Sequence, residues 1–138
     1  MKKTLTLAAI SALLALPLHA EEIAAGEWQV LAVDGALFAA EATFSVTPDG
    51  QIAGKAPCNR YFGQSKAALP ALQLDAIGAT RMACDAMAAE DQFLTALSSM
   101  TGAELREDHL VLTGPEGRSI ELVRDRGDKA GVCLTCTA

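Results

Sequence analysis

The chain has 138 residues, 11 Lys and Arg against 17 Asp and Glu, 51% hydrophobic residues and 4 cysteines. That length suits one domain, and the acidic balance argues against nucleic acid and anionic lipid surfaces as partners. Alanine dominates the hydrophobic fraction and six residues are aromatic (Trp28, Phe38, Phe44, Tyr61, Phe62, Phe93), so the core is small and covalent reinforcement would help it.

Lys2 and Lys3 precede an apolar run from Leu5 to Leu16, too short to span a bilayer, which Pro17 breaks just before the small Ala20. This is the pattern of a signal peptide over residues 1–20. Removing 20 of 138 residues leaves 118, and losing two lysines leaves 9 basic residues against 17 acidic, a net charge of −8. No cysteine lies near the cut to take a lipid, and no later segment is long and apolar enough to anchor the chain. The expected product is a soluble, exported, periplasmic monomer with no transmembrane segment. The sequence neither requires nor forbids association with the outer membrane.

The stretch GEWQVLAVDG predicts an inner strand, with Trp28, Val30 and Ala32 on one face, Leu31 and Val33 on the other, and a turn at Asp34-Gly35. ATFSVTPDGQIAGK predicts a hairpin turning at Pro48-Asp49-Gly50 and running into APCNRYFGQSK. Residues 64–71 read as loop, and Leu72, Leu74 and Ala76 alternate as a short strand ending at Gly78. From Asp85 to Met100 the period becomes helical: Met87, Phe93, Leu94, Leu97 and Met100 share a face, acids gather at the start, and Gly102 ends the helix. Two further strands follow around Leu110 and Leu112 and around Ile120 and Leu122, with turns at Glu107-Asp108 and Gly114-Pro115-Glu116-Gly117. Strands, one helix, then strands predict an α+β fold: an antiparallel sheet curled around one helix. Residues 127–138 lack a core pattern and read as a flexible tail carrying Cys133 and Cys136.

Trp28, the hairpin to Gly54, then CNRYFG, then ATRMAC before a helix with Glu90 and Phe93, then a closing L-x-x-D-x-L-x-L, together resemble the META domain family, to which the bacterial heat-shock protein HslJ belongs. The similarity spans roughly residues 26–124. It implies a strongly curved antiparallel sheet, an incomplete barrel, embracing one helix. It also implies no catalytic activity, and an envelope or stress-related role with links to antibiotic tolerance. Two features depart from the family: this chain lacks the lipid-attachment cysteine of many members, and its CLTC tail has no counterpart.

In an oxidising compartment Cys58, Cys84, Cys133 and Cys136 read as disulfide cysteines. Three full pairings exist, and chain order favours 58 with 84 and 133 with 136, because each pair then lies in one structural unit. A thiol nucleophile would need a base, and the one histidine beyond the leader, His109, falls on a strand beside a turn, where it reads as a surface residue. CNRYFG reads as a tight turn pinned to the helix start, with Asn59 bonding its own backbone and Gly63 permitting positive φ. The binding alternative places Asn59, Arg60, Tyr61 and Arg81 at the open end of the sheet around an anionic or aromatic small ligand. Arg81, Asp85, Glu90 and Asp91 read as helix-start electrostatics and a solvated face, and Met82, Met87 and Met100 as core filler. No catalytic residue, metal or cofactor is expected. The leading function is a non-enzymatic envelope domain that binds a partner protein, or a small apolar ligand in the concave face of the sheet. The alternative is a thiol-active redox protein using the C-terminal CxxC, a motif that here does not open a helix.

Overall fold

The computed structural model describes residues 18–127, so the leader residues 1–17 and the tail with Cys133 and Cys136 lie outside the described residues. In chain order the elements are α1 (Leu18–Ala24), β1 (Trp28–Val33), β2 (Ala36–Leu37), β3 (Thr43–Val46), β4 (Gln51–Lys55), β5 (Arg60–Ser65), β6 (Leu74–Ala79), α2 (Met87–Ser98), β7 (Gly102–Arg106), β8 (His109–Thr113) and β9 (Ser119–Val123). A short 3-10 turn, Pro115–Gly117, joins the last two strands. The strands form one antiparallel sheet in the order β6, β5, β4, β3, β1, β9, β8, β7, with β2 paired to β1. This is the expected α+β architecture of a curved, unclosed sheet around one main helix. Its two edges touch at one corner, where Ala71 bridges Gly102, Leu72 N–H donates to Thr101 O (2.9 Å) and Ala103 N–H to Pro70 O (2.7 Å).

Local chemistry explains the turns. Asp34 and Gly35 both take positive φ (50° and 80°), the geometry a two-residue hairpin demands, and Asp34 Oδ1 and Oδ2 accept from Ser119 N–H and Arg118 Nη2, each at 3.1 Å. The Arg118 bond holds the Asp34 carboxyl below the usual carboxylate range. Gly50, at φ 88°, closes the β3–β4 hairpin by donating to Thr47 O at 2.9 Å. β1 is an inner strand, as its apolar character on both faces predicts, paired with β2 and β3 on one side and β9 on the other.

α2 lies against the concave side of the sheet. Its Phe93, Ala96 and Leu97 are fully buried, and the Phe93 ring packs 6.0 Å from Phe38 and edge-on to Tyr61 at 5.6 Å. Burying a side chain such as Phe93 stabilises the fold by about 1.5–3 kcal/mol, so this contact fixes the helix firmly. The protein's own helix thus occupies part of the surface where the sequence reading placed a small apolar ligand.

Several boundaries differ from the sequence reading. α2 starts at Met87 and not Asp85, and it ends through Ser99, whose N–H bonds Ala96 O, while Gly102 opens β7. Gln64 and Ser65 belong to β5 and not to a loop. Met82 is 68% exposed in the segment before α2 and is not core filler, whereas Met100 is buried. α1 begins inside the segment read as leader and is anchored by the fully buried Ile23, whose carbonyl accepts from Trp28 Nε1 at 3.0 Å. The Arg124 guanidinium stacks 3.5 Å above the centre of the Trp28 ring and donates to Glu22 O (2.8 Å), tying α1 to the end of β9.

Candidate functional site

CNRYFG is a corner followed by a strand. Only Cys58 and Asn59 turn; from Arg60 the chain runs as β5 with alternating burial, and Gly63 does not take positive φ. Cys58 is bonded to Cys84 with their Cα atoms 5.7 Å apart. Asn59 does not bond its own backbone. Its Oδ1 accepts from Met82 N–H (2.6 Å) and Thr80 Oγ1 (2.9 Å), and its Nδ2 donates to Met82 O (2.9 Å) and Glu90 Oε1 (2.6 Å). Glu90 is 3% exposed, and its Oε2 accepts from the successive amides of Cys58 (2.6 Å) and Asn59 (2.8 Å). Glu90 is thus part of a buried clamp and not of a solvated helix face, while Asp85 and Asp91 are exposed. The Cys-Asn and Thr-Arg-Met-Ala-Cys motifs and Glu90 prove to be one unit: three segments joined by one disulfide and one amide-carboxylate network.

Of the four candidate binding residues, two are committed to the fold. Asn59 is 4% exposed and fully bonded in the clamp; Tyr61 is 1% exposed and donates its hydroxyl to Thr43 O at 2.5 Å. Burial, reinforced by the negative charge of Glu27, pushes the Tyr61 phenol upward. Gly54 stands directly opposite Tyr61, and a Cβ there would fall 2.6 Å from the Tyr61 hydroxyl, so this glycine makes room for the ring. Arg60 and Arg81 are exposed and close in register, since Thr80, which precedes Arg81, donates its N–H to Arg60 O at 3.0 Å.

The outer face of the sheet carries the remaining polar features. β4 and β5 pair so that Lys55 faces Arg60, Ala53 faces Phe62 and Gln51 faces Gln64. Phe62 is 60% exposed and lies over Gly78 of β6, where a Cβ would come within 2.5 Å of its ring. An open cleft of about 510 Å³ beside this face is lined by Gln29, Glu41, Thr43, Lys55 and Arg126. Arg126 is already engaged, donating to Ala40 O (2.7 Å) and to Phe38 O. A second open cleft of about 840 Å³ lies across β7–β9 and holds Arg106, Asp108, His109, Arg118 and Glu121. His109 is not a free surface histidine: its side chain is only 13% exposed, Nδ1 bonds Glu121 Oε1, and Nε2 stands 3.5 Å from Asp108 Oδ1. Among the described residues no three His, Cys, Asp or Glu groups are placed to hold a metal, and no helix is long and apolar enough to cross a membrane.

A curled antiparallel sheet on one helix, cornered by a disulfide and a buried carboxylate, defines a small α+β domain built for rigidity. The META domain family model matches residues 21–127, and the chain belongs to that family. Among solved structures, it is similar to the NMR structure of a protein from Burkholderia xenovorans: 20% identity, 91% of this chain and 99% of the other covered, TM-score 0.59. A second NMR structure is 18% identical over 75% of this chain and 92% of its own, with a TM-score of 0.57. The crystal structure of a DUF4847 family protein from Bacteroides vulgatus is 12% identical over 76% and 96%, with a TM-score of 0.56. At these identities the likeness is one of fold. No curated protein matches the chain.

Proposed function

We propose that the chain is an exported, non-enzymatic META-domain protein of the periplasm that acts by binding, offering its outer sheet face to an envelope partner or ligand. Its role in stress or antibiotic tolerance follows from the family resemblance. The observation that carries the reading is the Cys58–Cys84 bond, closed across a separation of 26 residues at the corner that holds β5, the segment after β6 and α2 together. Cytosolic reductants keep such thiols reduced, so a fold that depends on this bond belongs in an oxidising compartment. With α2 packed on the sheet through Phe93, Ala96 and Leu97, the exposed outer face that carries Phe62 supports the binding reading. Fractionation of expressing cells tests this: the chain should appear in the periplasm, begin near Glu21 and resist thiol alkylation at Cys58 and Cys84. A cytosolic chain with both thiols alkylated would refute it.

A further inference from the structure

Three rows of side chains cross the outer face of β4 and β5, set by register. One row pairs Gln51 with Gln64, the next pairs Ala53 with Phe62, and the third pairs Lys55 with Arg60. The middle row is flat but for one ring. Phe62 leans over Gly78 on one side and has only Ala53 on the other, so one ring face is backed by the sheet and the other is open to solvent at 60% exposure. In a chain with six aromatic residues, four of which (Trp28, Phe38, Phe44, Phe93) are in the core together with Tyr61, leaving this ring in water gains the fold little.

The cationic row is also unexplained by folding. Like charges directly opposed on neighbouring strands destabilise a sheet. Among the described residues neither Lys55 nor Arg60 is in an ion pair, and Arg81, equally without one, follows the residue bonded to Arg60. A positive row on a chain of net charge −6 is complementary to an anion. Residues two apart on a strand are spaced by about 7 Å, so the cations stand roughly one sugar ring from Phe62, and Gln51 is one row away on the other side; Gln64, beside it, already donates its NH2 to Asp49 O (2.8 Å) and Ser65 O (3.1 Å).

We propose that this face binds an acidic oligosaccharide, with one sugar ring stacked on Phe62, a carboxylate on Lys55 and Arg60, and a hydroxyl on the Gln51 amide. The reading rests on the binding role given above and names its ligand class. An apolar ring face on an aromatic ring, a hydroxyl on an amide and a carboxylate on a guanidinium are each favourable contacts, and this spacing allows all three together. A single-stranded nucleic acid fits less well, because such strands bind by stacking successive bases on several aromatic rings and this face offers one.

Calorimetric titration of the purified full chain with an oligogalacturonate tests the proposal, against a neutral malto-oligosaccharide, polyglutamate and oligothymidylate. The oligogalacturonate should bind tightest. Phe62→Leu, which keeps an apolar cover over Gly78, and the pair Lys55→Gln with Arg60→Gln should each weaken it at least tenfold, and Arg106→Gln on the far half of the sheet should not. Gly78→Ala, which displaces the ring, should weaken it as well. Absence of oligogalacturonate binding, equal or tighter binding of polyglutamate or oligothymidylate, or unchanged affinity in Phe62→Leu would each overturn it. Melting curves confirm that each variant is folded, and the surface cation pair decides the matter should Phe62→Leu be unstable. Export is read separately by fractionation, so an exported chain that ignores the saccharide refutes this proposal alone.

Discussion

Glu90 offers its two oxygens to three donors in a site that is 3% exposed, with two of them on Oε2. A glutamine has one acceptor oxygen and would turn its NH2 toward donors, leaving at least one buried amide unmet. Glu90→Gln should therefore lower the unfolding free energy in urea by about 2–3 kcal/mol, and an unchanged midpoint would show that the clamp does not bear on stability. Tyr61 permits a cleaner pH test because it is the only tyrosine. Its phenol is raised by burial, so the folded chain keeps the proton that the unfolded chain releases near pH 10. That contribution is complete below about pH 10 and is lost as the pH rises further, at about 1.4 kcal/mol per pH unit. Tyr61→Phe should cost about 1 kcal/mol at neutral pH, from the lost bond to Thr43 O, and should show a shallower decline above pH 10 in chemical denaturation. Parallel declines in the two proteins would contradict the assignment.

At the scale of elements, the corner joins the start of β5, the segment after β6 and the first turn of α2. Closing the 26-residue separation between Cys58 and Cys84 is worth roughly 3–4 kcal/mol in the chain-entropy treatment. Cys58→Ala and Cys84→Ala should each lower the melting temperature strongly, and the double variant should be no worse than the worse single, because all three remove one bond. Additive losses would mean each cysteine has a separate structural role. The hairpins were legible in the sequence because their signals are local: alternation over a few residues, with Asp34-Gly35 or Pro48-Asp49-Gly50 between. Of three possible pairings, chain order favoured the one that includes Cys58–Cys84. Glu90 was not legible, because an acid in the first turn of a helix already has a local explanation, and its burial depends on amides some thirty residues earlier in the chain. β5 hid for a different reason. Tyr61 and Phe62 are adjacent aromatics on opposite faces, which erases the alternation that marks a strand, and the pairing with Gly54 and Gly78 shows which ring is core and which is exposed.

Over the described residues, the two edges of the sheet meet at one corner, around Ala71 and Gly102. Hydrogen exchange should accordingly be slowest in β1 and β9 at the centre of the strand order and faster along β6 and β7, with Leu72 and Ala103 protected by their bonds at the corner. Uniform protection along both edges would mean that the sheet is closed in solution. The strand order also has a consequence for timing. Among the described residues β1 is the first strand and β9 the last, yet they are neighbours, with Gln29 beside Val123. Pairing so distant in sequence is slow to form, because the loop must close before the contacts reward it. A chain stopped after residue 114 lacks β9, leaving the inner edge of β1 bare, and should be rapidly digested by protease. Until β9 is available, β1 lacks its partner on that side. The fold is thus closed by a seam between partners 123 − 29 = 94 residues apart, Gln29 and Val123, and it can form only after everything between them has been made.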